Sequence, residues 1–255
     1  MAPADGYEAS IARLQAWIAH NPQSVTARVG LAEVYYRYGW EAGDPRAESA
    51  SPDDKRLFID RLGKAQAALD DAATLKVQCP ESYWLRLAIA RSEGYENAET
   101  AQFYAKAVAF EPGYFYYYDS YADYLLPSWK GRPQASAIFA QQAADNLGGQ
   151  LGDFIYFEMA AHIVGDMNLD PNELDWTRIQ RGHKALADMY DSVNYDRNQL
   201  ALLAWRFKDA AVARQEFGLI GDKWAQTIWS GKAQYDSARQ WAGQQTGASQ
   251  VSVVR

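Results

Sequence analysis

The chain has 255 residues, of which 48% are hydrophobic, so it is long enough for one large domain or two small ones of ordinary globular composition. A net charge of −7 without clustered Lys and Arg argues against nucleic acid as a partner, because phosphates require a basic surface. No run approaches the roughly 18 apolar residues of a membrane span, which argues against membrane insertion, and one cysteine cannot form an intrachain disulfide.

The N-terminal part of the chain predicts three helices and one long loop. Residues 7–20 carry an apolar stripe at helical spacing, and Pro22 ends that helix. Ser24 is a candidate N-cap for the second helix. Residues 41–55 are rich in Gly, Pro, Ser and Asp and predict an inserted surface loop, after which helical periodicity resumes over residues 57–77.

Helical periodicity continues through the rest of the chain. A proline has no backbone N–H and disfavours helix at the preceding residue, so Pro112 predicts a turn between two helices. Beyond residue 243 the periodicity is lost, which predicts a frayed tail. The further helices are expected over residues 82–92, 97–110, 114–125, 135–147, 153–164, 176–189, 198–207, 210–220 and 224–241.

Two stretches share one spacing of small and bulky residues. Pro22 is followed by Ala27, Leu31, Ala32, Tyr35 and Gly39, and Pro112 is followed by Tyr118, Tyr121, Ala122 and Leu125. The pattern resembles the tetratricopeptide repeat, whose period is about 34 residues and whose small residues lie where helices approach closely. Arg28 stands where that family usually has an aromatic residue.

A second resemblance lies in the order of several landmarks along the chain. They are Glu111-Pro112-Gly113-Tyr114, Leu126-Pro127-Ser128-Trp129-Lys130-Gly131, Gly148-Gly149, Gly152-Asp153, Asp175-Trp176 and Gly221-Asp222-Lys223-Trp224. This order resembles a bacterial domain family of unknown function, in which the central turn is usually Pro-Arg-Trp. The likeness implies a bacterial origin and no particular activity.

These resemblances imply a fold. We expect an all-α protein, a right-handed α-solenoid of four to five tetratricopeptide-like helical hairpins. A single repeat domain would cover residues 1–242, with the inserted loop at about 41–55 and a flexible tail over residues 243–255. An αα-hairpin cannot bury its apolar faces alone, so neighbouring hairpins are required for stability.

The sequence offers no motif for catalysis, for a metal or for a cofactor. It contains no Gly-rich phosphate loop, no His-Glu-x-x-His, no nucleophile elbow and no cysteine pair. Cys79 is interpreted as a small buried residue, His162 as a packing histidine, and the pairs Asp53-Asp54 and Asp70-Asp71 as solvated charges. We therefore expect a non-enzymatic protein without a cofactor.

A binding surface follows from the resemblance to tetratricopeptide proteins, in which the first helices of the hairpins line the concave side. The residues placed there are Glu33, Tyr36, Arg37, Tyr116, Asp119, Asp123, Phe154, Phe157, Asn198 and Trp205. A groove that mixes aromatic rings and carboxylates is typical of peptide recognition, with a basic peptide among the options. The alternative is that the rings only fill space between helices.

Three functions remain compatible with this surface. The first is an interaction module for a protein or peptide. The second is a carbohydrate- or cell-wall-binding protein of the bacterial envelope, because aromatic rings stack on sugars, and the third is an inhibitor or immunity protein for a toxin or enzyme. The chain as given indicates the cytoplasm. Ala2-Pro3-Ala4 also resembles a mature N-terminus, which would indicate a periplasmic or secreted protein.

Overall fold

The protein is all-helical across the residues that the computed structural model describes, which are 4–45, 47–93, 97–129, 131–165, 169–191 and 193–245. Short 3-10 turns lie at Pro127–Trp129 and Pro171–Glu173, and no strand occurs in these ranges. The helices are α1 Ala4–His20, α2 Val25–Trp40, α3 Pro52–Ala73, α4 Pro80–Glu93, α5 Asn97–Phe110, α6 Tyr116–Tyr124, α7 Ala135–Leu147, α8 Gly149–Ile163, α9 Trp176–Tyr190, α10 Asn194–Arg206, α11 Ala210–Ile220 and α12 Lys232–Gln244.

Side-chain caps begin several helices where the sequence indicates them. The Ser24 hydroxyl accepts a hydrogen bond from the Ala27 N–H at 3.1 Å, which starts α2. The Asp175 carboxylate accepts one from the Arg178 N–H at 3.0 Å, which starts α9. Each cap satisfies a backbone donor that the first helical turn leaves without a partner, and typically contributes about 1 kcal/mol.

The loop expected at residues 41–55 is shorter than the sequence analysis indicated. Helix α3 begins at Pro52, because Ser51 and Asp54 form a reciprocal capping box. The Ser51 hydroxyl accepts a hydrogen bond from the Asp54 N–H at 3.1 Å, and the Asp54 carboxylate accepts one from the Ser51 N–H at 3.2 Å. The Ser and Asp that suggested a loop are therefore the start of a helix.

Two other helices begin earlier than expected. Helix α8 begins at Gly149, directly after Gly148 turns the chain with a φ of 67°, and Asp153 lies inside this helix instead of capping it. Helix α10 begins at Asn194, one turn before the expected start, because the Asp196 carboxylate accepts a hydrogen bond from the Val193 N–H at 3.0 Å.

The expected C-terminal helix over residues 224–241 is wrong in its first half. Residues 224–231 form turns, and α12 begins only at Lys232. This segment is held instead by α10, since the Trp229 indole N–H donates a hydrogen bond to the Asn198 side-chain oxygen at 2.9 Å. Helix α12 continues to Gln244, and the tail expected beyond it lies outside the described residues from 246 onward.

Residue contacts group the chain into two compact units, Met1–Tyr121 and Ala122–Arg255. In the first unit, α1 packs on α2, α2 on α3, α3 on α4 and α4 on α5, and α2 also contacts α4. Its core includes Leu62, Leu69 and Leu85, all fully buried. Burial of one such side chain stabilises the fold by about 1.5–3 kcal/mol.

A buried arginine joins α2 to α3 in the first unit. Arg28 stands at the position where the tetratricopeptide pattern has an aromatic residue, and it is buried. Its Nε lies 2.5 Å from an Asp71 carboxylate oxygen. Asp70 is also ion-paired, with Arg86 at 2.9 Å. The Asp70-Asp71 pair therefore contacts two neighbouring helices, while both side chains stay solvated as expected, with exposed fractions of 68% and 55%.

The second unit has its own buried arginine between three helices. Arg178 on α9 lies 2.5 Å from Asp145 on α7 and 3.0 Å from Asp153 on α8. Arg181 adds a second contact to Asp153 at 3.1 Å. Hydrogen bonds from Arg181 and Arg178 hold the pKa of the Asp153 carboxyl below its usual range. Both carboxylates are thus ionised and paired at neutral pH, which satisfies the buried guanidinium.

Helices α8 and α9 approach most closely at Gly182. A Cβ atom added there would lie 2.1 Å from the Asp153 carbonyl oxygen and 2.6 Å from the Phe157 Cβ. Both are far shorter than a van der Waals contact, and neither atom belongs to the mobile end of a side chain. Only glycine therefore permits this helix spacing.

We expect Gly182→Ala to lower the free energy of unfolding by about 1–3 kcal/mol or more, because α8 and α9 must separate to admit the methyl group. Gly218→Ala is the matched control, since Gly218 lies on α11 in the same unit and a Cβ there meets nothing within 4 Å. That change should raise the free energy of unfolding by up to about 1 kcal/mol, from helix propensity alone. Urea unfolding of the intact chain measures both, and equal effects would contradict the close approach.

Candidate functional site

The first unit brings two of the expected binding residues to one tryptophan. Trp84 on α4 lies with its ring centroid 6.4 Å from that of Tyr36 on α2 and 6.3 Å from that of Tyr116 on α6. Both contacts are edge-to-face, a favoured geometry for aromatic pairs. Three helices thus contribute to one continuous aromatic contact.

A half-buried carboxylate lies beside this tryptophan. Glu81 precedes Trp84 by three residues on α4, so the two side chains share a helix face. The Tyr114 hydroxyl donates a hydrogen bond to the Glu81 carboxylate. Burial raises the pKa of the Glu81 carboxyl and Glu33 adds to the rise, while the hydrogen bond from Tyr114 and the charge of Arg37 oppose it. Glu33 and Arg37 are therefore electrostatic neighbours of Glu81.

Six residues around Trp84 and Glu81 form a surface that we call the acidic–aromatic face. They come from α2, from α4 and from the start of α6 and the turn before it. Two of them are well exposed, because Tyr116 shows 45% of its surface to solvent and the Arg37 side chain shows 64%. The members are Glu33, Arg37, Glu81, Trp84, Tyr114 and Tyr116.

The charges on α2 form a local pair. Arg37 Nη2 lies 2.7 Å from Glu33 Oε1, one helical turn away. An exposed pair of this spacing contributes only about 0.3–0.5 kcal/mol, so either side chain can leave it at little cost. The pair thus leaves Glu33 and Arg37 available for contact with another molecule.

Two expected binding residues of this unit are buried and have packing positions. Tyr36 is 8% exposed and belongs to the core beneath α2 and α4, and Asp119 on α6 is also 8% exposed. The neighbouring tyrosines have the packing role expected of them. Tyr104 stacks on Tyr121 at 4.5 Å, and the Tyr118 hydroxyl donates a hydrogen bond to the Pro112 carbonyl oxygen at 2.7 Å.

In the second unit, Asp123 pairs with a histidine. Its Oδ2 lies 3.0 Å from Nε2 of His162 on α8. The His162 side chain is 42% exposed, so it is a surface residue and not the packing histidine that the sequence analysis expected. The pair joins the end of α6 to α8.

Two phenylalanines expected at the binding surface lie inside the second unit. Phe154 and Phe157 are both buried in α8. The ring centroid of Phe154 lies 5.5 Å from that of Tyr190, and the centroid of Phe157 lies 5.3 Å from that of His183. They hold α8 against α9, so neither is accessible to a partner in this conformation.

Asn198 is fully buried, and its side chain is a hydrogen-bond centre. Its oxygen accepts hydrogen bonds from the Trp229 indole N–H at 2.9 Å and from the Ala225 backbone N–H at 3.1 Å. Its amide nitrogen donates one to the Asn194 carbonyl oxygen at 2.8 Å. Asn198 therefore fixes the non-helical segment before α12 onto α10.

Trp205 is half-buried and holds a lysine of its own unit. The Lys208 ammonium lies 5.4 Å from the centroid of Trp205 and 5.5 Å from that of Trp241. Both distances fall within cation–π range. The ring expected to contact a partner is thus in contact with an internal cation.

An open groove also lies between α1 and α2 in the first unit. Its volume is about 310 Å³. Trp17 on its wall is 46% exposed. The lining residues are Ser10, Arg13, Leu14, Trp17 and Val34.

Two searches of the described part of the chain gave negative results. No group of three or more His, Cys, Asp or Glu is placed there to hold a metal ion. No helix in it combines the length and the apolar character needed to cross a bilayer.

Comparison of the chain with family models, with curated proteins and with solved structures gave no match in any of the three.

We expect Asn198→Ala to lower the free energy of unfolding by about 2 kcal/mol, because the buried Trp229 indole N–H and the partly buried Ala225 N–H lose their acceptor. Asn172→Ala is the control. Asn172 is exposed and its side chain binds only the neighbouring Asp170, so its removal should change stability by less than about 0.5 kcal/mol. Chemical unfolding followed by tryptophan fluorescence measures both, and an Asn198→Ala protein of unchanged stability would refute the structural role.

We expect His183 to make the second unit acid-sensitive. Burial lowers the pKa of His183 to about 4, with Arg197 adding to the effect, and Nε2 is buried without a hydrogen-bond partner among the described residues. Since the unfolded histidine titrates near pH 6.5, the unfolded state binds the proton first as pH falls. The stability that depends on the neutral His183 imidazole is therefore fully present above pH 6.5. As the pH falls from 6.5 to 4, the free energy of unfolding decreases by about 2–3 kcal/mol.

Urea unfolding at pH 7.5 and pH 4.5 tests this, with His183→Gln compared with the unmodified protein at each pH. The difference in unfolding free energy between the two proteins should shift in favour of His183→Gln at the lower pH. A difference that stays constant between the two pH values would contradict the buried neutral histidine.

Proposed function

We propose that the chain is a tetratricopeptide-like, right-handed stack of helical hairpins, which acts as a non-enzymatic module for binding a protein or peptide. Support for the stack comes from the packing of sequential helices and from contacts between helices two apart, α2 with α4 and α8 with α10. A repeat architecture requires both kinds of contact, since each hairpin buries its apolar face on the next.

The binding surface in this proposal is the acidic–aromatic face of the first unit. The observation that carries it is the contact of Tyr36 and Tyr116 with Trp84, because it joins α2, α4 and α6 at one place. Tyr36 supports the surface from below, Trp84 is half-buried, and Tyr116 is exposed to solvent. Asp123, Phe154, Phe157, Asn198 and Trp205 belong to the second unit and are left out of this surface.

The composition of the face favours a peptide or protein over a small molecule. Aromatic side chains provide most of the binding energy at protein interfaces, and a charged rim provides orientation. Tyr116 is rigid, because its ring stacks on Phe115 at a centroid distance of 4.1 Å. A rigid exposed ring loses little conformational entropy when it is covered, which is why tyrosine is frequent at such positions.

A displayed library of random peptides, selected against the intact protein, tests the proposal. Peptides that bind the acidic–aromatic face should bind Tyr116→Ala at least tenfold more weakly. Tyr195→Ala is the matched control, because Tyr195 on α10 is 46% exposed, close to the 45% of Tyr116. Affinities are measured by fluorescence anisotropy on synthetic copies of the selected peptides.

The outcomes divide clearly. Loss of affinity in Tyr116→Ala with retention in Tyr195→Ala supports the proposed surface. Peptides that bind both variants equally well place recognition elsewhere on the molecule. A library that yields no binder would end the interaction-module proposal for peptides.

A further inference from the structure

We propose that Glu81, Trp84, Tyr114 and Tyr116 form a receptor for one cationic side chain, the guanidinium or ammonium of an Arg or Lys in the partner. The inference deepens the proposed function and rests on it, because the cation is carried by the peptide that the acidic–aromatic face binds. It specifies the chemistry of the partner, which is a segment that carries an Arg or a Lys.

The Glu81 carboxylate has no counter-ion among the described residues. One of its oxygens accepts the Tyr114 hydrogen bond, and the other accepts none from the described part of the chain. The nearby cation, Arg37, acts on Glu81 electrostatically but forms its ion pair with Glu33 on its own helix. A half-buried carboxylate without a counter-ion is destabilised by the partial loss of hydration, so an incoming cation would be favoured there.

The hydrogen bond from Tyr114 fixes the orientation of this carboxylate. Tyr114 lies in the turn before α6, and Glu81 lies in the first turn of α4. One oxygen is therefore committed to the protein while the other stays available for a partner. A guanidinium or ammonium donates strong, charge-assisted hydrogen bonds to such an oxygen.

Aromatic rings stand beside the carboxylate at angles to one another. Trp84 and Tyr116 are inclined by 62° at a centroid distance of 6.3 Å, and Tyr114 and Tyr116 by 54° at 5.3 Å. Tyr116 shows 45% of its surface to solvent and Trp84 is half-buried, so ring surface near the carboxylate is accessible to an incoming cation. Each cation–π contact contributes about 0.5–2 kcal/mol, with the larger values where water is excluded.

The chain binds its own cations in the same way. Lys208 is held over both Trp205 and Trp241, at 5.4 Å and 5.5 Å. In the first unit, the Arg61 guanidinium lies 3.5 Å above the Tyr38 ring, and its Nη1 donates a hydrogen bond to the Tyr38 carbonyl oxygen at 2.7 Å. In both places a cation contacts a ring. The Glu81 cluster differs in that the cation would come from another molecule.

The signs of the surrounding charges agree with this occupant. In the described part of the chain, Glu33 and Arg37 are the charged side chains that shift the pKa of Glu81, and the whole chain carries a net charge of −7. An acidic segment would be repelled by Glu81, and an uncharged sugar would leave the Glu81 carboxylate without a counter-ion. A basic peptide satisfies both the rings and the charge.

The direct test uses two small probes, N-acetyl-arginine amide and N-acetyl-citrulline amide, which share their shape but differ in charge. Titration into the 15N-labelled intact protein is followed at the Trp84 indole N–H cross-peak, which is assigned by its absence in Trp84→Phe. The arginine probe should shift this peak saturably, with a dissociation constant at least tenfold lower than that of the citrulline probe. Equal shifts by the two probes would overturn the proposal.

The variant Glu81→Gln removes the charge but keeps an oxygen that can accept from Tyr114. It should reduce the affinity for the arginine probe at least tenfold, while Glu99→Gln on the exposed side of α5 should leave it unchanged. If Glu81→Gln does not fold, the comparison of the two probes on the unmodified protein still decides. A Trp84 peak that responds to N-acetylglucosamine and not to the arginine probe would replace the cation by a sugar.

The library peptides separate this inference from the proposed function. Peptides that depend on Tyr116 should be enriched in Arg or Lys, and replacement of that residue by citrulline or acetyl-lysine should weaken binding at least tenfold. Tyr116-dependent peptides without such a preference would refute the cation receptor and leave the interaction module standing. Binding of the arginine probe at Trp84, when no Tyr116-dependent peptide is recovered, would support the cation receptor and refute the interaction module for peptides.

Discussion

Close approach between neighbouring helices is the constraint on which the rest of each unit depends. In the first unit, a Cβ at Gly39 would lie 2.6 Å from Leu62 Cδ1, so glycine lets α2 approach α3 without displacing the buried Leu62 side chain. In the second unit, Gly182 has the same function between α9 and α8. Once the backbones are this close, buried side chains interdigitate and polar groups in the seam must find partners within it. The small residues thus determine which pairs of helices can form.

The close approach of neighbouring helices also determines how the buried arginines are paired. A guanidinium between two close helices cannot remain hydrated, so each one is matched by carboxylates, Arg28 by Asp71 and Arg178 by Asp145 and Asp153. Such pairs add little stability relative to an apolar contact, but they are costly to break and so favour one arrangement of the helices. Arg28 shows how a residue that departs from the repeat pattern is accommodated through an acidic partner on the next helix.

The aromatic residues divide into two groups with different roles. Tyr104, Tyr118, Phe154 and Phe157 pack between helices, and their burial follows from the apolar faces of those helices. Trp84 is half-buried against the core of the first unit, and Tyr116, which contacts it, is 45% exposed. The difference is decided by whether another helix covers the ring. An exposed tyrosine beside a half-buried tryptophan and a half-buried carboxylate is the reason for proposing recognition by the first unit.

The sequence by itself determined the helical class and the approximate position of most helices, because the apolar spacing, Ser24, Asp175 and the prolines act locally. It also placed Tyr36 and Tyr116 among the candidate binding residues. Only the tertiary structure decided that Glu81, Trp84 and Tyr114 join them, that Asn198, Phe154 and Phe157 are buried, and that residues 224–231 are not helical. Each of these outcomes depends on contacts between residues distant in sequence, such as Trp229 with Asn198, and no local periodicity encodes such a contact.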